Sequence, residues 1–268
     1  MFRCKEMATV LSQKELAPGI FDLRLKAMAA KEARPGQFVG IYPNSGEMLL
    51  MRPISICGID RAQSELRLVY RINGNGTKEF STLKEGDTVQ LLGVLGNGFP
   101  LWEDTKEKTV VLMGGGIGIP PMLETAKQIK GNVYSFLGYR DNLTFLADEF
   151  EKVSTVSIAT EDGSVGSKGN VMNALAESGI EPDIIMACGP MPMLRAIKQY
   201  AQEKNITAYI SLEERMACGV GACLGCVCKT VHKDAHSHVN NTRICTEGPV
   251  FDAREVEINE YGSYHCRS

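Results

Sequence analysis

Thr109–Lys130 reads TVVLMGGGIGIPPMLETAKQIK. The apolar run Val110–Met113 has the length of a buried strand, the glycines that follow form a turn, and MLETAKQIK alternates as an amphipathic helix whose first turn Pro120 and Pro121 suit. The same rhythm continues through NVYSFLGY, VSTVSIATEDG, GNVMNALAESG and DIIMACGPMPMLRAIKQYAQEK. Strands alternating with helices imply a parallel sheet covered by helices, an α/β domain over residues 104–210. The glycine turn leaves free amides at a helix N-terminus, where a pyrophosphate is stabilised by N–H groups and the helix dipole. It departs from G-x-G-x-x-G because Pro121 stands in place of the last glycine, and a tight strand-to-helix turn without ligand has the same pattern.

Two further loops, IATEDGSVGSKG and ACGPMPML, end predicted strands of the same sheet, and ligands bind beyond the carboxyl ends of such strands. Glu161 and Asp162 are acidic where a ribose would be read, which favours NAD over NADP; an ordinary solvated turn is the alternative.

Before residue 104 the pattern is different. Short alternations such as FDLRLKA, with Phe21, Leu23, Leu25 and Ala27 on one side and Asp22, Arg24 and Lys26 on the other, predict an antiparallel barrel or sandwich over residues 1–103. Two stretches there can cradle an anion. In MRPISIC, Arg52 is placed to pair bidentately with a diphosphate and Ser55 to hydrogen-bond a ring nitrogen; in YRINGNGTKEFS, the Gly76 and Thr77 amides open a helix-like run. A charged strand edge and a glycine turn are the alternative for both.

After AYISLEER the periodicity fades into MACGVGACLGCVCKT (Met216–Thr230), and RICTEGPVF (Arg243–Phe251) follows, a small domain over residues 211–268. Cys218, Cys223 and Cys226 have C-x4-C-x2-C spacing and Cys245 is a distant fourth, the plant-type arrangement for a [2Fe–2S] cluster. Zinc sites pair cysteines as two C-x2-C knuckles; a Cys4 zinc site and disulfides remain alternatives. Cys228 lies two residues past Cys226 and so shares its side of an extended chain, an expected free thiol and a possible substitute ligand. Cys4, Cys57 and Cys266 are isolated and read as buried apolar residues or free thiols. The spacer after Cys226 carries His232, His236 and His238, read as a solvated loop, with mixed ligation the alternative.

The 268 residues, 44% hydrophobic and 23% charged with a net charge of −3, describe a globular chain with no electrostatic reason to bind nucleic acid. The first residues carry charges throughout, without a signal core, and no apolar run reaches membrane-spanning length. Nine cysteines without an export signal imply a reducing compartment, so the expectation is a cytoplasmic protein with no membrane partner.

The motif order RPIS, GNGT, GGGIGIPP, CGP, CGVGACLGC and CTEGPVF, with PGQF, LGNGF and DGSVGSKG between, resembles the ferredoxin-reductase-like flavoproteins over essentially the whole chain. It is most similar to the electron-transfer subunits of NAD-dependent, type B dihydroorotate dehydrogenases. The resemblance implies a FAD-binding barrel, a NAD-binding α/β domain and a [2Fe–2S] domain. It implies FAD contacts at Arg52, Pro53, Ile54, Ser55, Val69, Tyr70, Arg71, Gly76 and Thr77, and NAD contacts at Gly114, Gly115, Gly116, Gly118, Cys188, Gly189 and Pro190. Cluster ligands are implied at Cys218, Cys223, Cys226 and Cys245. The implied partner is an FMN-containing catalytic subunit that oxidises dihydroorotate in UMP biosynthesis, in a heterotetramer of two of each. No side chain of this subunit is implied as acid or base. A flavoprotein subunit coupling NAD(P)H to ferredoxin or sulfite reduction, and an iron–sulfur redox sensor, are the other readings.

Overall fold

Six strands of the N-terminal segment, β1 (Cys4–Ala17), β2 (Ile20–Lys26), β3 (Phe38–Tyr42), β4 (Arg52–Asp60), β5 (Glu65–Arg71) and β6 (Thr88–Leu95), close into an antiparallel barrel in the order β1-β2-β5-β4-β3-β6. The computed structural model describes residues 4–101, 105–233 and 238–258; Cys266 and His236 lie outside them. Pairing of β6 back onto β1 decides between barrel and sandwich. Register shifts at Val10/Ser12, Phe38/Gly40 and Ile56/Gly58 supply the local bends that closure needs. Leu23, Leu25 and Ala27 point inward as the alternation predicts. Asp22, on the opposite face of β2, is nonetheless buried, because Arg67 of β5 pairs with it at 2.8 Å. One short helix, α1 (Asn75–Phe80), follows β5.

The second sheet contains β7 (Thr109–Gly115), β8 (Asn132–Tyr139), β9 (Thr155–Thr160), β10 (Ser167–Lys168), β11 (Ile184–Cys188) and β12 (Thr207–Ser211), joined by α2 (Ile119–Gln128), α3 (Ala147–Phe150), α4 (Val171–Ser178) and α5 (Met191–Lys204). These six strands are mutually parallel in the order β10-β9-β8-β7-β11-β12. Beyond the cysteine loop, β13 (Val227–Lys229) and β14 (Asn241–Arg243) form a two-stranded ribbon. The chain then returns as β15 (Val250–Asp252), which adds to β12 antiparallel with Ile210 opposite Phe251. The sheet is therefore mixed rather than wholly parallel, with its antiparallel edge strand supplied by the last segment. Three residues are too few to show a period, and β15 covers what would otherwise be an open edge of β12.

Alternation along β5 sets how the two large parts meet. Leu66, Leu68 and Tyr70 fill the barrel, whereas Val69 joins an apolar layer with Ile119, Met122 and Leu123 of α2 and with Cys57 of β4. Burial pushes the Cys57 thiol up to about 12, so it behaves as a small apolar residue in that layer. Among the described residues no helix is long and apolar enough to cross a membrane.

Candidate functional site

Two of the barrel motifs meet at Arg52. Its guanidinium lies against the first turn of α1, where a Cβ on Gly76 would stand 2.4 Å from Arg52 Nε and would displace the arginine. The β3–β4 loop holds the same side chain by hydrogen bonds to the Leu50 carbonyl and, at 3.5 Å, to Met48 Sδ. Thr77 Oγ1 is used internally, accepting from the Asn73 amide at 2.7 Å and donating to the Gly74 carbonyl at 3.2 Å; this closes the turn and leaves the first-turn amides to a ligand. A cation beside unpaired amides fits a diphosphate. Pro53 and Ser55 are half-buried on β4. Ile54 and Tyr70 turn their side chains into the barrel, and Val69 is committed to α2, so only the main chain of these three residues is available to a flavin.

The nucleotide motifs also converge. Gly118 packs so closely on the β11–α5 loop that a Cβ would lie 2.3 Å from the Cys188 carbonyl oxygen, and one on Gly115 would meet Pro190 Cδ at 2.8 Å. A Cβ on Gly189 would stand 3.1 Å from the Gly115 amide nitrogen. These glycines let the two loops close on each other. Gly116 differs: its φ of +54° requires the left-handed region, and Arg71 Nη2 is the one neighbour, 3.5 Å from an added Cβ. That open, amide-bearing turn before α2 fits a pyrophosphate, with Pro at N1/N2 of the helix. Glu161 and Asp162 are both exposed beyond β9 on the same sheet edge. Asp162 Oδ1 accepts from the Ser164 hydroxyl at 2.7 Å and the Ser164 amide at 2.9 Å, which holds its carboxyl below the usual range.

Between barrel and sheet the expected Arg71 and Cys188 are accompanied by Glu213, which the motifs did not single out. Cys188, at the end of β11, pairs in register with both Gly114 and Ser211. Burial pushes its thiol up, the nearby Glu213 charge adds to this, and a Ser211 hydrogen bond opposes it. Glu213 keeps contact with solvent, yet surrounding protein strips enough hydration to raise its carboxyl, the charge of Arg71 pulling the other way. Arg71, Glu213 and Cys188 thus bring β5, the residues after β12 and the end of β11 to one place. The only sequence signal was a carboxylate two residues past a strand end on the ligand-binding edge.

The cysteine loop curls around its own sulfurs. Gly219, Gly221 and Leu224 have φ of +67°, +84° and +56°, and the backbone turns its amides inward. Cys218 Sγ accepts from the Val220 and Cys223 amides, and Cys223 Sγ from the Gly225 amide, each at 3.4 Å. Burial raises the Cys218 thiol, but these amides outweigh it and bring it to about 7. Cys226 is drawn down by a hydrogen bond with Cys245, which is itself raised. Backbone amides thus point at the sulfurs of Cys218 and Cys223. No three His, Cys, Asp or Glu side chains among the described residues converge on one metal-ion position. A two-iron core takes two thiolates on each iron, which four cysteines supply. The amide N–H groups aimed at sulfur supply the hydrogen bonding such a core takes from its protein. Cys228, on β13, is buried in the apolar core, and burial pushes its thiol up to about 12. Arg243 ties the loop to the Cys245 segment, donating to the Gly221 carbonyl at 3.2 Å and pairing with Glu247 at 2.6 Å.

Residues 213–257 match the family model for the iron–sulfur cluster binding domain of dihydroorotate dehydrogenase B. The chain is 44% identical over 266 residues to the dihydroorotate dehydrogenase B (NAD(+)) electron transfer subunit of Enterococcus faecalis, covering 96% of this chain and 99% of that one. It is 42% identical to the protein of the same name from Lysinibacillus sphaericus, covering 95% and 99%. A solved NADH-dependent reduced ferredoxin-NADP oxidoreductase superimposes with a TM-score of 0.83 at 29% identity, covering 94% and 90%. A Neisseria gonorrhoeae ferredoxin NADP+ reductase solved with bound FAD and NADP shares the fold, with a TM-score of 0.62 at 18% identity over 79% and 94%. With a flavoprotein-reductase fold and a four-cysteine loop, and with near-full-length identity to these relatives, the chain belongs to the electron transfer subunits of dihydroorotate dehydrogenase B (NAD(+)).

Proposed function

We propose that this chain relays electrons between an FMN-containing, dihydroorotate-oxidising subunit and NAD+, in a heterotetramer of two of each. The observation that carries the reading is the approach of Arg71 of the barrel to the Gly116 turn, 3.5 Å from an added Cβ, where the FAD-type barrel and the NAD-type sheet edge meet, with the cysteine loop packed beside the barrel. Bound FAD supplies the exchange between single electrons, which an iron–sulfur cluster handles, and the hydride that a nicotinamide carries.

The chain's own residues bind and orient. Arg52 and the Gly76–Thr77 amides hold the FAD diphosphate, and the main chain of Ile54, Val69 and Tyr70 lines the flavin beside Pro53, Ser55 and Arg71. The Gly114–Gly118 turn takes the NAD pyrophosphate, and the Cys188–Pro190 loop sets the depth to which the nicotinamide end enters. Glu161 accepts from the adenosine ribose. Cys218, Cys223, Cys226 and Cys245 ligate a [2Fe–2S] cluster, whose loop touches the barrel where a Cβ on Gly219 would meet Met51 Cε at 2.3 Å. No side chain is required as acid or base.

The test is anaerobic purification with the catalytic subunit. Two irons, two sulfides and one FAD per chain, with dihydroorotate-dependent NAD+ reduction, are expected. Full cofactor occupancy without any NADH oxidation by an artificial acceptor would instead make the chain a redox sensor.

A further inference from the structure

β5 shows the nucleotide domain three side chains: Val69 in the apolar layer, Arg71 at the glycine turn and Arg67 at α3. Arg67 is 5% exposed, and every edge of its guanidinium is used. Nε donates to Asp22 Oδ1 and Oδ2, each at 3.1 Å, and Nη2 to Asp22 Oδ2 at 2.8 Å, all within the barrel. The other edge crosses to the α/β domain, with Nη1 to Glu149 Oε2 at 2.5 Å and Nη2 to Glu149 Oε1 at 2.8 Å. Gly58 on the neighbouring strand makes the room, since a Cβ there would stand 3.2 Å from Arg67 Cβ. A second polar link runs beside it, the Ile59 amide of β4 donating to Glu124 Oε2 of α2 at 3.3 Å.

On the α2 side the rest of the contact is apolar and non-directional, while at the far end Asn97, just past β6, hydrogen-bonds Glu247, Gly248 and Val250 beside β15; domains joined mainly by apolar contact move relative to each other by default. A buried ion pair is a poor device for stability, because apolar residues of like volume do as well. A planar fork between two carboxylates does what apolar packing cannot, which is to define an angle. Glu149 sits on α3, within the β8–α3–β9 unit that ends at Glu161; Arg67 is four residues before Arg71 on one strand. The fork therefore joins the elements that carry the two nucleotide sites.

We propose that Arg67 is a positioning residue: bridging Asp22 and Glu149, it sets the angle between the barrel and the nucleotide-binding sheet, and with it the approach of nicotinamide to flavin. This rests on the barrel binding FAD and the sheet binding NAD. Displacing reacting groups by about 1 Å costs up to about a hundredfold in rate. A lysine at 67 reaches one carboxylate but cannot fork to both.

The test uses the holoprotein with Arg67→Lys and Glu149→Gln. Wild type is checked first for FAD content and reduction by NADH; failure there overturns the cofactor reading and not the role of Arg67. In both variants the rate of flavin reduction at saturating NADH should fall at least tenfold, with FAD content and the NADH dissociation constant within about twofold of wild type. Distances between spin labels on the barrel and on the α/β domain should broaden in the same variants, with or without cofactors. Glu149 is partly exposed, so Glu149→Gln keeps the test open if Arg67→Lys fails to fold. Wild-type flavin reduction with an unbroadened distance, even alongside a lowered melting temperature, would show a structural pair only and overturn the proposal.

Discussion

Arg52 and Gly76 lie 24 positions apart and touch, the guanidinium resting where any Cβ on Gly76 would be 2.4 Å from Nε. The contact brings together two motifs that are each weak alone, and the proposed diphosphate site depends on both. Losing a charge-assisted hydrogen bond in such a place costs about 1.5–3 kcal/mol. Arg52→Ala should therefore weaken FAD retention roughly tenfold or more, measured by flavin loss on dilution and gel filtration. Gly76→Ala should act in the same direction by displacing the arginine. Normal occupancy in both would remove Arg52 from the site.

The four-thiol assignment separates Cys223 from Cys228. Cys223 is exposed and receives the Gly225 amide, whereas Cys228 is buried among apolar side chains. Cys223→Ser should lose or alter the cluster's iron content and visible spectrum; Cys228→Ser should keep both. Equal loss in the two variants would make Cys228 a ligand.

Cofactor choice should depend on Glu161 more than on Asp162, because Ser164 already occupies Asp162 Oδ1. Attraction to a ribose hydroxyl and repulsion of a 2′-phosphate are each worth about 1 kcal/mol at an exposed site, so wild type should prefer NADH by roughly tenfold or more. Glu161→Gln should cut that preference about tenfold in kcat/KM with an artificial acceptor, and Asp162→Asn less. An unmoved ratio in Glu161→Gln means that Glu161 does not read the ribose.

Acid should loosen the link between the domains. The Arg67 hydrogen bond holds the Glu149 carboxyl below its usual 4.5, burial opposing it. A carboxylate lowered in the folded state stabilises fully above its unfolded value, and the contribution is lost as pH falls through the folded one. Wild type should melt about 2–4 °C above Glu149→Gln at pH 6–7, a small gap because the pair is partly open to solvent. The gap should begin to narrow below pH 4.5 and shrink steadily as the pH falls further. A gap that does not narrow at all as the pH falls below 4.5 would assign the effect to something other than this charge.

The cysteine spacing, the strand-to-helix glycine turn and the order of RPIS before GNGT were legible in the chain because each is a local device, in which a few consecutive residues set backbone conformation and chemistry together. Alternation was equally legible. Leu66, Leu68 and Tyr70 fall on one face of β5, and the structure puts that face inside the barrel. What the alternation did not say is what the other face meets. Asp22 read as one polar residue among three on a strand's outer side, and became a buried partner of Arg67 only when β2 and β5 paired and α3 brought Glu149 over them. Glu213 had no motif around it, and its carboxyl is raised only by the desolvation that distant parts of the chain impose, against the pull of Arg71. β15 was too short to show a period, and its place was decided by the unpaired edge of β12. By itself the sequence determined the longer strands and helices, the cysteine spacing and the glycine turns, since these depend on neighbours within a few residues. Burial of charge, pairing across 45 and 82 positions, and the meeting of the two nucleotide sites were decided by tertiary structure alone, because desolvation and hydrogen-bond geometry depend on which distant surfaces come together.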